Sequence, residues 1–175
     1  MEKFILIRPT SEYASQIVEY RQEFLEAGDS MDGTGALRKT ADPEEFIKIS
    51  IEREDPKNVP ENRVPATQFI FIRKSDNCLV GMLQVRHYFN DYLEKYAGHI
   101  GYSIRPSERR KGYAKEMLRM ALPHCREIGL DRVLITCIDG NVGSEKTILA
   151  NGGVYESTVH EPNDNVDLKR FWITL

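Results

Sequence analysis

Hydrophobic residues change their spacing several times along this chain, and each change marks an element. Residues 3–8 carry Phe4, Ile5, Leu6 and Ile7 in a run closed by Pro9, which predicts a first strand. Ser11 then stands where a helix cap belongs, because Ala14, Ile17, Val18, Arg21, Phe24 and Leu25 recur at helical spacing and Gly28 offers a stop. The segment from Gly28 to Thr40 is rich in Gly, Asp, Ser and Thr and reads as a loop. Asp42-Pro43-Glu44-Glu45 begins a second helix, with a capping Asp, Pro at the first helical position and an acid three residues after the cap. That helix ends before Pro56.

The middle of the chain takes a strand period. Residues 66–73 contain Phe69, Ile70, Phe71 and Ile72; after the turn Ser75-Asp76-Asn77, the stretch 78–89 sets Leu79, Gly81, Leu83, Val85, His87 and Phe89 at alternate positions. Two such runs predict a hairpin over 69–72 and 78–85. Residues 99–105 form another strand, stopped by Pro106. A long helix follows, with Ala114, Met117, Leu118, Ala121, Leu122, Cys125 and Ile128 on one face and Gly129 at its end. Pro123 inside it removes the bond to the Arg119 carbonyl and is expected to bend it. Residues 133–138 are apolar and rich in β-branched side chains, as in a strand buried on both faces. A short helix over 142–150 stops at Asn151-Gly152-Gly153, and strands over 154–159 and 168–174 finish the chain. The order β, α, α, β, β, β, α, β, α, β, β predicts an α/β fold, a mixed and partly antiparallel central sheet flanked by helices.

Composition narrows the function classes. A chain of 175 residues suits a single domain over 1–175, and 41% hydrophobic residues allow a sizeable core. A net charge of −3 gives no broad basic field and so argues against nucleic-acid binding. The three cysteines (Cys78, Cys125, Cys137) include no Cys-x-x-Cys pair, and the four histidines are scattered, which argues against a disulfide framework and a metal site. The apolar run at the N-terminus is too short for a signal peptide, and no segment approaches the ~20 apolar residues of a membrane span. The expectation is a reduced, cytoplasmic protein with no metal and no membrane partner.

Candidate chemistry concentrates where the strand ending at Arg105-Pro106 passes through Arg109-Arg110-Lys111 into the long helix at Gly112. A helix N-terminus offers unpaired N–H groups and about half a positive charge, the arrangement that binds phosphate. Gly112 lets backbone approach an anion with no side chain in the way. Three cations repel the positive end of the helix, and a bound polyanion would resolve that conflict. A solvated basic turn accounts for the same residues equally well. Neither the Gly-x-x-x-x-Gly-Lys-Ser/Thr loop nor the Gly-x-Gly-x-x-Gly fingerprint is present.

The stretch Arg109-Arg110-Lys111-Gly112-Tyr113-Ala114 also matches the pattern Gln/Arg-x-x-Gly-x-Gly/Ala, and so resembles the pyrophosphate loop of the GNAT superfamily of acyl-CoA N-acyltransferases. Gly101-Tyr102-Ser103-Ile104-Arg105-Pro106 resembles that family's fourth strand, and Asn141-Val142-Gly143-Ser144 with Asn151-Gly152-Gly153 resembles the segment after its fifth. The resemblance implies an N-acetyltransferase with acetyl-CoA as co-substrate and direct transfer to an amine, so neither Cys137 nor Ser144 is needed as a nucleophile. It implies that Tyr102, Ser103 and Ile104 pair with the pantetheine arm through their main chain. It implies that Arg109, Arg110, Lys111, Gly112, Tyr113 and Ala114 hold the pyrophosphate, chiefly by N–H groups. Asn141 would contact the cofactor's far arm, with Ser144 close by. The acceptor would be a small-molecule or peptide amine, and dimers are common in the family.

One departure concerns the proton transfers. Many members carry a tyrosine acid seven residues after the asparagine, where this chain has Ile148, which leaves Tyr155, Tyr113 or Ser144 as substitutes. A primary amine, with a pKa of about 10.4, must lose a proton before it attacks a thioester. His99, near the start of the fourth strand, is the candidate base, with His87 second; both also fit ordinary strand positions. His124 and His160 read as surface residues. Tyr88, Tyr92 and Tyr96 either wall the acceptor site or stack on the sheet. In the segment 160–167, Glu161, Asp164 and Asp167 would favour a cationic amine. With the tyrosine missing, a non-catalytic acyl-CoA-binding module is the alternative.

Overall fold

A computed structural model describes all 175 residues. The chain opens with β1 (Phe4–Ile7), α1 (Ala14–Ala27) and α2 (Pro43–Glu52). It continues through β2 (Ala66–Arg73), β3 (Cys78–Arg86), β4 (Ile100–Ile104) and α3 (Tyr113–Glu127). It closes with β5 (Arg132–Ile138), α4 (Val142–Ala150), β6 (Val154–Glu161) and β7 (Val166–Thr174). This is the order read from the spacing.

Local chemistry sets most helix ends. The Asp42 carboxylate accepts the Glu44 N–H at 2.9 Å ahead of Pro43, so α2 starts as its sequence requires. Gly28, at φ 62°, ends α1, and the next N–H, that of Asp29, returns to the Phe24 carbonyl. Ser11 does not cap α1. Residues Ser11–Tyr13 form a 3-10 turn ahead of the helix, and the Ser11 hydroxyl donates to Glu44 on α2 at 2.7 Å. The helix α3 runs on through Pro123 to Glu127. No helix is long and apolar enough to cross a membrane.

The strands form two antiparallel sheets, β1-β2-β3-β4 and β5-β7-β6, in place of one mixed sheet. Tyr20 and Phe24 of α1 and Phe46 of α2 pack on one face of the first sheet with Ile70, Ile72 and Met82. Met117 and Leu118 of α3 and Ile148 of α4 cover the other face, in a cluster continuous with Val133, Ile135 and Phe171 of the second sheet. A bulge at Val80 divides β3: Ile72 pairs with Leu79 but Phe71 pairs with Gly81. Leu79 therefore packs towards α1 and α2, whereas Leu83 and Val85 pack towards α3, so the single face expected for these residues is broken. The strand also stops at Arg86, which leaves His87 and Phe89 outside it. At the end of β5, Ile138 is half exposed, so that strand is buried on both faces only along its middle.

Candidate active site

Strands β4 and β5 touch at one end only. Gly98 bridges Ile135, the His99 N–H donates to the Leu134 carbonyl at 2.8 Å, and the Leu134 N–H donates back to His99 Nδ1 at 2.9 Å. Gly98 has φ 68°, and a Cβ there would collide with the Leu134 carbonyl, so the junction needs glycine. Beyond this apex β4 pairs with β3 alone and β5 with β7 alone, and a cleft opens between them. The Arg86 N–H meets the His99 carbonyl and the Arg105 N–H meets the Val80 carbonyl, which fixes the alternation of the ladder. Gly101 and Ser103 thus turn their backbone to β3, while Ile100, Tyr102 and Ile104 turn theirs to the cleft. An unpaired strand edge accepts an extended ligand as an added strand. Ser103 corrects the expectation for this strand. Its backbone faces away from the cleft, and its carbonyl and hydroxyl both meet the Tyr20 hydroxyl, at 3.0 and 2.9 Å.

The loop after β4 carries the second part of the site. Arg110 and Gly112 both have positive φ, 62° and 80°, and turn the chain twice before α3 begins. The Glu116 N–H is the first in the helix to find an acceptor, the Gly112 carbonyl at 3.4 Å. The N–H groups of Arg110, Lys111, Gly112, Tyr113, Ala114 and Lys115 have no protein partner. A Cβ at Gly112 would meet nothing within 4 Å, so this backbone faces open space. The cations are used differently from the expectation. Arg109 folds back onto the Ile104 carbonyl (3.0 Å) and Asp29 (2.5 Å), and Lys111 pairs with Glu108 at 2.7 Å. Glu108 also takes Arg73 at 2.6 Å, and the two cations hold its carboxyl below the usual range. Arg109 and Lys111 therefore brace the loop, and Arg110 is the cation without an ionic partner. The Tyr113 hydroxyl sits on Arg73 at 3.2 Å, away from the cleft.

Across the cleft, Asn141 caps α4 by accepting the Ser144 N–H at 3.1 Å. The Ser144 hydroxyl lies 2.7 Å from the Tyr102 hydroxyl, so a tyrosine from β4 reaches α4. Burial pushes the Tyr102 phenol up to about 12, which keeps it protonated. The family resemblance assigns Tyr102 a role through its main chain alone; this hydroxyl adds a side-chain group to the cleft. Ile148 is fully buried in the core and supplies no acid. Tyr155 bonds Thr158 at 2.8 Å on the exposed strand β6 and supplies none to the cleft.

His99 is placed as a structural group. It is 5% exposed with its ring 4.0 Å from Phe89, and burial, then the Arg86 charge, lower its pKa to about 4. Because Nδ1 accepts the Leu134 N–H, the proton of the neutral ring is on Nε2. No lone pair is left to take a proton from an amine, so the geometry does not fit the expected base. His87 and His124 converge on the hydroxyl of fully buried Thr67, at 2.8 and 2.9 Å, and burial lowers both pKa values. His124 is thus half-buried and not a surface residue; His160 is exposed and pairs with Asp167 at 2.8 Å. Glu161 is 1% exposed, and its carboxylate closes the β6–β7 turn by accepting the Asn163 and Asp164 N–H groups at 3.0 and 2.7 Å. It does not face an acceptor. Tyr92 and Tyr96 pack against each other as a tilted pair with ring centres 5.3 Å apart, and Tyr88 is half exposed. No cluster of three or more metal-ligating side chains occurs.

Comparison with known proteins shows likenesses in sequence and in fold. Over 104 residues the chain is 26% identical to the uncharacterized N-acetyltransferase YnaD of Bacillus subtilis, a match spanning 57% of this chain and 59% of that relative. The ribosomal-protein-S5-alanine acetyltransferase of Vibrio fischeri superposes with a TM-score of 0.74 at 17% identity, over 99% of this chain and 94% of its own. The microcin C7 self-immunity acetyltransferase MccE, solved with acetyl-CoA and AMP, gives 0.72 at 18% identity, over 99% and 93%. RimJ of Mycobacterium smegmatis, solved with CoA-disulfide, gives 0.71 at 19% identity, over 98% and 81%. The family described as the acetyltransferase (GNAT) domain matches residues 4–154. With that match over most of its length, the chain belongs to the GNAT acetyltransferase family.

Proposed function

We propose that this chain is an acetyl-CoA-dependent N-acetyltransferase that passes the acetyl group directly to an amine. The observation that carries this reading is the run of unpartnered N–H groups from Arg110 to Lys115, opening beside an unpaired edge of β4. Acetyl-CoA supplies the acetyl group as an activated thioester. The Arg110–Lys115 amides would bind its pyrophosphate, with Arg110 adding charge. The backbone of Tyr102 and the N–H of Ile104, whose carbonyl Arg109 holds, would pair with its extended arm. Asn141, whose Oδ1 is used as a cap, keeps its Nδ2 for the same ligand. The Tyr102 hydroxyl, oriented by Ser144, donates a hydrogen bond to the leaving sulfur. Cys137 is buried and its thiol is pushed up to about 11, which makes it a poor nucleophile and supports direct transfer. The three cysteines are free, which suits a reducing, cytoplasmic setting.

Ile148 in the core and the occupied Nδ1 of His99 favour a second reading, a module that binds acyl-CoA without turnover. Purified protein with acetyl-CoA and a panel of amines decides between them. Release of free thiol that depends on the amine supports transfer. CoA binding without thiol release across the panel supports the module.

A further inference from the structure

A cavity of about 440 Å³ lies between α2, the loop after α1 and the end of β3. Its lining includes Arg38, Arg53, Arg63 and Arg86 and no acidic residue, in a chain whose net charge is −3. Arg38 has a carboxylate partner, Asp32 at 2.9 Å. Arg53, Arg63 and Arg86 form no ion pair. Arg86 is the most enclosed: burial and the charges of Arg38 and Arg63 lower its pKa to about 10. Its Nη1 reaches the carbonyls of Ala97 and Gly98, each at a long 3.3 Å, and its Nε and Nη2 have no protein acceptor. Arg86 is partly buried and no buried side-chain nitrogen in the chain lacks a partner, so Nε and Nη2 open onto the cavity, where an anionic ligand would pair with them.

The position of Arg86 ties the cavity to the apex where β4 and β5 meet. Gly98, whose carbonyl it touches, is the apex residue bridging β5. A Cβ on Gly101 of β4 would stand 3.2 Å from Arg86 Nη2. The cavity therefore opens on the α1–α2 face of β4, whereas α3 and α4 cover the opposite face.

We infer that this cavity receives the acceptor and that the acceptor is a small amine carrying a carboxylate or phosphate, which Arg86 grips together with Arg53 and Arg63. The inference rests on the acetyltransferase reading and names its substrate class. A fork of guanidinium donors matches either anion, and the volume suits a small molecule. It reverses the expectation of a cationic amine, since Glu161 is consumed by its own turn. The same positive field disfavours the ammonium form of a bound amine, so the nitrogen sheds its proton to water without a side-chain base. The amine nitrogen then bonds the acetyl carbon as the carbon–sulfur bond breaks. The sulfur keeps the electron pair and takes a proton from solvent, and the nitrogen releases its remaining extra proton to water.

The test compares paired amines by thiol release: O-phosphoethanolamine against ethanolamine, and glutamate against its diamide. Acetyl-CoA affinity is measured in parallel by calorimetry. The wild type is expected to prefer the anionic member by about 30-fold in kcat/KM. Arg53→Gln and Arg63→Gln, both at partly or fully exposed positions, are expected to erode that preference about fivefold each while acetyl-CoA affinity stays within about twofold. Equal or better turnover of the neutral amines overturns the inference and leaves acetyl transfer standing. Turnover confined to peptides with an acidic first residue overturns the small-molecule acceptor. If acetyl-CoA binds and no amine is acetylated, the acetyltransferase reading fails on its own. The cavity is then tested by calorimetry with inorganic phosphate: binding that Arg86→Gln and Arg63→Gln abolish supports an anion site, and no binding overturns it.

Discussion

Replacing His99 separates a structural role from a catalytic one. Its Nδ1 accepts the Leu134 N–H at 2.9 Å at the only junction between β4 and β5. His99→Ala leaves that N–H buried without an acceptor, which costs about 1–3 kcal/mol, and removes a ring packed on Phe89. The total loss is expected to be about 3 kcal/mol. His99→Asn offers a carbonyl oxygen in place of Nδ1 and should recover about half of it. The pH dependence gives an independent signature. The folded pKa is about 4, against an ordinary value of 6.5. Below pH ~6.5 the unfolded chain binds a proton that the folded chain refuses, so stability falls as pH drops from ~6.5 to 4 and is level above that window. The linkage reaches about 3 kcal/mol. His87 and His124 are shifted in the same direction, so the diagnostic quantity is the difference between wild type and His99→Asn. Urea unfolding between pH 4 and 8, followed through Trp172, whose ring lies 6.4 Å from His99, measures it. An Asn variant as pH-dependent as the wild type would refute the structural reading. So would unchanged stability with kcat down about 100-fold, since that is how a lost base behaves.

Three further outcomes follow from the cleft. Gly112→Asp places a carboxylate among the Arg110–Lys115 amides; the side chain meets open space, so stability should fall by only about 1–2 kcal/mol while calorimetry shows CoA binding weakened about 30-fold or more. Tyr102→Phe removes the hydroxyl paired with Ser144 and should lower kcat about tenfold with little change in KM for acetyl-CoA, as read by initial rates of thiol release. Ile148→Tyr restores the family's tyrosine only in name: a Cβ at Gly153 would already stand 2.5 Å from Ile148 Cγ2, so the larger ring should destabilise the chain by about 2–3 kcal/mol in thermal melts and give no gain in kcat.

Features encoded by local spacing were legible in the sequence, and features that depend on contacts between distant segments were not. The capping of α2 by Asp42 and the face of α3 that carries Met117 and Leu118 are local, and both stand as read. The parity of β3 was lost at Val80, because a bulge inserts a residue without any mark in hydrophobic alternation. Ser103 was misjudged because its ladder direction depends on β3, and Ser11 because its partner, Glu44, lies on another helix. Glu161 and Asp167 looked alike in a polar turn; one is buried under its own loop and the other is exposed. The arginine-lined cavity was invisible because positions 38, 53, 63 and 86 come from separate segments, each unremarkable alone.

The central claim is that backbone amides at the start of α3, together with the open edge of β4, form the CoA site. Titrating CoA into the ¹⁵N-labelled chain and following each amide by NMR tests this directly. The account predicts that the resonances of Arg110 to Lys115, with those of Tyr102 and Ile104, move together and saturate at the affinity found by calorimetry. CoA binding that leaves these amides unmoved would contradict it.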